Sequence, residues 1–141
     1  MPEVTPDSCV LVSAFVEGDE FRPHARKVVE RVFSGEYHAV TSAIVPVEVC
    51  GVIARRSGVD KAKLVRDQME EWEATGLFKF KDLTRTRRDE ARDLSISLGL
   101  RGMDAIVVQV ARETNCSLIT FDDEVANKAV KVVQVLTHRD L

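Results

Sequence analysis

The chain is 141 residues long, the length of one domain with room for a substantial core, and carries a formal charge of −3. Hydrophobic residues make up 45% and charged residues 30%, an ordinary water-soluble balance, and no apolar run approaches the ~18 residues of a membrane span. The acidic net charge excludes nucleic-acid binding by global attraction, so any such binding has to use local basic patches.

Residues 3–6 form a short strand candidate entering Asp7, weakened by Pro6, which is tolerated only at a sheet edge or a strand end. Asp7 or Ser8 can cap the apolar stretch 9–15 as a short helix, or the strand continues through it. A loop at 18–22 leads to a helix over 23–34, with Ala25, Val28, Val29, Val32 and Phe33 on its apolar side and Gly35 at its end. Residues 37–41 form a strand. Ser42 then caps a second helix, AIVPVEVCGVIARR, with Pro46 in or near its first turn and Arg55 and Arg56 at its end. Its valine content suits a strand as well, although Pro46 argues against a central one.

A third helix runs from Asp60 to about Ala74 and carries Leu64, Val65, Met69 and Trp72. Residues 77–82 form an edge strand with lysines on one face. Residues 86–98 form an Arg/Asp-rich helix with Ala91, Leu94 and Leu98 on its buried side. The stretch 99–124 organises the chain. Behind Asp104, Met103, Ile106, Val107, Val110 and Ala111 recur at helical spacing. Residues 114–116 break that pattern, 117–121 form a buried strand, and Asp122 stands at its end. A short helix over 124–130, a strand over 132–135 and a tail complete the chain.

Strands alternating with helices indicate a three-layer α/β/α fold with a mostly parallel central sheet of four to five strands and right-handed crossovers. No repeat or linker divides residues 1–141, so a single domain is expected. The start, MPEVTPD, lacks the basic and apolar segments of a signal peptide. Cys9, Cys50 and Cys116 lie in apolar sequence and read as reduced core residues of a cytoplasmic protein. No Cys/His spacing suggests zinc, and His24, His38 and His138 form no visible constellation.

Glu48 is the most informative residue. It is the only charged side chain between Ser42 and Ala54, and a buried isolated carboxylate must neutralise, pair or bind a metal. The bland alternative is a helix edge that sees solvent. Asp7 ends the first strand, Asp104 opens a helix and Asp122 ends a later strand, so all four acids can reach one sheet edge. That edge is where open α/β sheets place their sites. No lysine or arginine lies within three residues of Asp7, Glu48 or Asp122. Clustered acids without a counter-ion point to Mg²⁺ or Mn²⁺, which favour oxygen ligands.

The order Asp7-Ser8, then Glu48 in an apolar helix, then Gly102-Met-Asp104-Ala, then Leu118-Ile-Thr-Phe-Asp122 resembles the PIN domain family, most closely its VapC toxin ribonucleases. The resemblance spans essentially the whole chain. It implies a metal-dependent endoribonuclease with Asp7, Glu48, Asp104 and Asp122 as catalytic and metal-holding acids, supported by Ser8 and Thr120. In such a site a cation acidifies water and polarises the phosphate, and in-line attack leaves a 5′-phosphate and a 3′-hydroxyl. Cys9 stands where many members have Asn or Ser. Asp123 and Glu124 fit an exposed turn better than auxiliary ligands.

RNA contact needs cations near this acidic edge. Arg101, three residues before Asp104, is the leading candidate, with Arg55 and Arg56. The arginines 85, 87 and 88 fit a solvated helix face equally well. The resemblance also implies a homodimer and an antitoxin partner, and no membrane. A housekeeping RNA-processing nuclease and a catalytically idle binding domain are the alternatives within the family. A receiver-type signalling switch also clusters acids at parallel strand ends. Asp82 and Lys131 are poorly placed for the phosphoacceptor and lysine that it needs.

Overall fold

The computed structural model describes residues 2–141. Strands β1 (Glu3–Pro6), β2 (His38–Ser42), β3 (Phe78–Lys81), β4 (Ser117–Ile119) and β5 (Val135–Leu136) form one sheet in the order β3-β2-β1-β4-β5. Every neighbouring pair is parallel. Helices α1 (Ser8–Phe15), α2 (Arg22–Phe33), α3 (Ile44–Ser57), α4 (Val59–Ala74), α5 (Arg85–Leu98), α6 (Gly102–Thr114) and α7 (Asp123–Ala129) flank it in the expected α/β/α layering. α6 lies along β1 and β2 and packs on α5, while α3 packs on α4 and on α1.

The strand with the weakest sequence signal is the central one. Pro6 is tolerated there because it is the last residue of β1, opposite Ile119. The next amide, that of Asp7, resumes the ladder by donating to the Ile119 carbonyl at 2.9 Å. Chain direction therefore reverses on Asp7 at the carboxyl end of the central strand, and the Asp7 carboxylate caps α1 by accepting from the Ser8 amide. That cap settles residues 8–15 as a helix. α3 is helical too. Its Val45, Val49 and Ile53 recur every four residues and are fully buried, so tertiary burial overrides the β-preference of valine. The N-cap position of α3 is Ala43 rather than Ser42. Ser42 closes β2, and its hydroxyl accepts from the Ile44 amide at 3.2 Å.

Three expectations need correction. The last strand is Val135–Leu136, not 132–135, because the amides of Val132 and Val133 both donate to the Ala129 carbonyl at 3.0 Å and close α7 instead. The strand after α6 stops at Ile119, leaving Thr120 and Phe121 to lead into α7. Leu64 is 66% exposed. The inward stripe of α4 is Ala62, Val65, Met69 and Trp72, spaced three, four and three apart, and Leu64 falls off it. On α2, Phe33 lies half out of the core, its ring edge-on to Trp72. β3 is an edge strand as expected, with Lys79 exposed and Phe78 buried.

Candidate active site

The carboxyl ends of β1, β2 and β4 and the amino ends of α1, α3, α6 and α7 lie at one edge of the sheet. Each acid reaches that edge for a local reason. Asp7 follows β1 and is 5% exposed. Its Oδ1 accepts from the Ser8 amide at 2.8 Å and its Oδ2 from the Thr120 hydroxyl at 2.9 Å. Thr120 is fully buried after β4, anchored by its amide to the Leu136 carbonyl at 3.1 Å. Its Oγ1 also accepts from the Asp122 amide at 3.2 Å. One hydroxyl thus fixes the Asp7 carboxylate and the backbone that carries Asp122.

Asp122 is the N-cap of α7. Its Oδ1 accepts from the amides of Glu124 and Val125 at 2.9 and 3.2 Å. Its second oxygen has no protein partner among the described residues. Glu48 projects from the second turn of α3 and accepts at Oε1 from the Ser8 hydroxyl. It is half-buried, between the two alternatives for a lone carboxylate. Asp104, in the first turn of α6, is half-buried, and no protein group among the described residues hydrogen-bonds it.

The electrostatics follow. Burial, then the charges of Asp7, Asp122 and Glu48, push the Asp104 carboxyl from its ordinary 3.8 up to about 6, while Arg101 pulls the other way. Asp7 is also held above the usual carboxylate range, by burial first and by Glu48, against the hydrogen bonds from Thr120 and Ser8. Cys9 lies 3.6 Å from both Asp7 Oδ2 and Thr120 Oγ1. Burial, with Asp7 next, pushes its thiol far above the ordinary value. The position therefore presents a neutral, weakly donating group beside Asp7.

Glu48, Arg101, Met103, Asp104, Ile106 and Asp122 line an open cleft of about 560 Å³. Its donors are carboxylate oxygens, the set that hard divalent cations prefer. Among the described residues no three acidic, histidine or cysteine side chains already stand at metal-ligating spacing.

Of the basic candidates, Arg101 is exposed at the N-cap of α6 beside Asp104. Arg56 lines an adjoining cleft of about 280 Å³ with Ser8, Cys9 and Glu48. Arg55 is exposed on the same turn of α3. Arg87 and Arg88 turn away. Arg87 pairs with Glu113 at 3.0 Å and Arg88 with Asp89 at 2.9 Å. Glu113 is nine residues along α6 from Asp104, about 13 Å at ~1.5 Å per residue. Asp123 and Glu124 are exposed and paired with Arg139 and Lys128. Two groupings lie outside the sequence reading. Asp19 holds Arg56 at 3.7 Å, and His24 and His138 pack together at 5.8 Å beside Phe21 and Phe121. Nothing in the local sequence marks either, because both join residues far apart in the chain.

The domain is thus an open, all-parallel α/β sheet with Asp7, Glu48, Asp104 and Asp122 gathered at one edge. The chain belongs to the PIN domain family, whose sequence pattern matches residues 4–131. PIN domains are generally nucleases and generally use divalent metal ions. No curated protein sequence matches the chain significantly. Among solved structures, VapBC2 from Rickettsia felis bound to a promoter DNA fragment is similar at 11% identity and a TM-score of 0.71, over 96% of this chain and 98% of that one. FitAcB from Neisseria gonorrhoeae is 14% identical with a TM-score of 0.69, over 98% and 99%. Mycobacterium tuberculosis VapC20, a Sarcin-Ricin loop cleaving toxin, is 16% identical with a TM-score of 0.71, over 88% and 93%. At these identities the likeness is one of fold. No single helix among the described residues is long and apolar enough to cross a membrane.

Proposed function

We propose that the chain, as one domain over residues 1–141, is a Mg²⁺- or Mn²⁺-dependent endoribonuclease and the toxin of a toxin–antitoxin pair. The observation that carries this reading is Asp104. It is a half-buried carboxylate without a hydrogen-bond donor among the described residues, pushed up to about 6 by burial and by three other acids. Burial of like charges is retained at a functional site when a cation is to occupy it. Asp7, Glu48 and Asp104 would hold the ion, with Asp122 completing the shell. When bound, the ion supplies Lewis acidity toward the phosphate and acidifies water.

The chain's own residues do the rest. Thr120 and the Ser8 amide fix both oxygens of Asp7. The Ser8 hydroxyl orients Glu48. Arg101, with Arg55 and Arg56, contacts RNA phosphates. The toxin role and its antitoxin partner are supported by structural neighbours that are toxin–antitoxin complexes, and a cytoplasmic location is part of the same proposal. A homodimer is part of the same proposal, with Val47 of α3 and Ile96 of α5, 65% and 77% exposed, as its candidate apolar contacts.

Purified protein is expected to cleave single-stranded RNA with Mg²⁺ or Mn²⁺ and to stop in EDTA, leaving 5′-phosphate ends. Cleavage that persists in EDTA overturns the metal reading. Expression is expected to slow growth until an antitoxin is supplied. Harmless expression of an active enzyme favours the housekeeping RNA-processing role.

A further inference from the structure

The cleft holding Asp104 and Asp122 does not end at Glu48. Glu48 also lines the second cleft, with Ser8, Arg56 and Asp19. Asp19 in turn lines a third, of about 510 Å³, formed with Gly18, Arg22, Pro23 and Arg26 at the start of α2. The three hollows adjoin in turn through Glu48 and Asp19 and are taken together as one trough. It runs from Arg101, across the carboxylates, to Arg22 and Arg26.

Several arginines on other faces of the molecule are matched to acids, while Arg85 and Arg112 have no such partner among the described residues. Arg66 pairs with Asp67, Arg87 with Glu113, and Arg88 and Arg92 with Asp89 and Asp93. Arg22 and Arg26 have no carboxylate within salt-bridging distance among the described residues. They stand at i and i+4 of α2, on one helical face about 6 Å apart. The acid in this part of the trough, Asp19, is already answered. It pairs with Arg56 at 3.7 Å, accepts from the Phe21 amide at 2.9 Å, and its side chain is 14% exposed. The α2 end of the trough offers two unmatched guanidiniums carried on one helical face, one intervening hollow away from the acidic centre.

We propose that Arg22 and Arg26 form a phosphate clamp for single-stranded RNA, gripping backbone on the side of the scissile bond opposite Arg101. The clamp rests on the nuclease reading and adds to it. The bound strand crosses the whole trough, so the substrate must extend past the cleavage point toward α2. Phosphate contacts of this kind position the strand and carry no base sequence.

The test is fluorescence anisotropy of a labelled 12-nucleotide single-stranded RNA with the full chain in EDTA, between 50 and 200 mM salt, with the RNA checked intact afterwards. Each phosphate contact to a single strand contributes about 0.7 to the slope of log affinity against log salt. The double variant Arg22→Ala/Arg26→Ala is expected to lower that slope by about 1.4. Arg22→Lys/Arg26→Lys is expected to restore it. Arg66→Ala/Arg92→Ala, which removes the same charge elsewhere, is expected to leave it near the wild-type value. An unchanged slope in the α2 alanine variant, or an equal fall in the Arg66/Arg92 control, overturns the clamp while leaving the nuclease reading intact. Wild-type protein that binds no RNA overturns the clamp, and one that also cleaves none with Mg²⁺ or Mn²⁺ overturns both.

Discussion

Asp104→Asn should make the metal-free protein more stable, not less. The folded chain holds this carboxyl at about 6 against an ordinary 3.8. At ~1.36 kcal/mol per pH unit, the difference corresponds to about 3 kcal/mol of strain on the ionised form. Asp104 is half open to water, which screens that figure to roughly 1–2 kcal/mol. The sign follows from which state binds the proton more tightly. Below pH 3.8 both folded and unfolded chains are protonated there, and the group costs nothing. Between about 4 and 6 the unfolded chain ionises first, so stability falls as pH rises through that window and stays low above it. Asparagine keeps the shape and carries no charge. In EDTA at pH 7, Asp104→Asn is therefore expected to raise the melting temperature by about 3–6 °C, at roughly 3 °C per kcal/mol for a chain of this size. At pH 4 most of the increment should be gone. Added Mg²⁺ should stabilise the wild type, because the ion binds only the folded state, and should stabilise the variant much less. The assay is a set of thermal melts of both proteins at pH 4 and pH 7, with EDTA and with Mg²⁺. A variant that is less stable at pH 7 in EDTA, or that gains the full Mg²⁺ increment, would refute the reasoning and leave Asp104 as a first-turn acid that complements the dipole of α6.

Thr120→Val removes the hydroxyl that donates to Asp7 and accepts from the Asp122 amide. It is expected to cost about 1–3 kcal/mol in denaturant melts and most of the nuclease activity; a neutral result would mean that water takes over both bonds. Cys9, with its thiol pushed far up by burial, is expected to resist iodoacetamide at pH 8 in the folded protein and to react once urea unfolds the chain. Rapid labelling of Cys9 in the native state would contradict the neutral-thiol assignment. Sedimentation is expected to show a dimer at high micromolar concentration, and a Val47→Asp substitution to shift it toward monomer.

The sequence was most legible where a single residue does two jobs. Asp7 is both the end of a strand and the cap of a helix, and Asp122 repeats that arrangement after β4. Such residues carry a capping signature and an unpaired acid at once, so the acids could be placed at one edge before any coordinates. Legibility was poorest where neighbours decide. Pro6 marks β1 as a poor strand, yet β1 is central, since only the proline's position at the strand end matters and that depends on the register with Ile119. Val132 and Val133 look like strand residues, but the end of α7 takes their amides. Leu64 looks like core and is one position off the buried stripe. The trough toward α2 depends on Asp19 meeting Arg56 across 37 residues, a pairing that no local pattern announces.

The central claim is that Asp7, Glu48, Asp104 and Asp122 share one divalent cation. The most direct measurement is an anomalous difference map from crystals soaked in Mn²⁺, collected for wild type and for Asp104→Asn. The account predicts a peak in the wild type within coordination distance of at least two of these carboxylates, lost or much weakened in the variant. A wild-type crystal of active enzyme with its manganese bound elsewhere, or a peak of equal strength in Asp104→Asn, would contradict it.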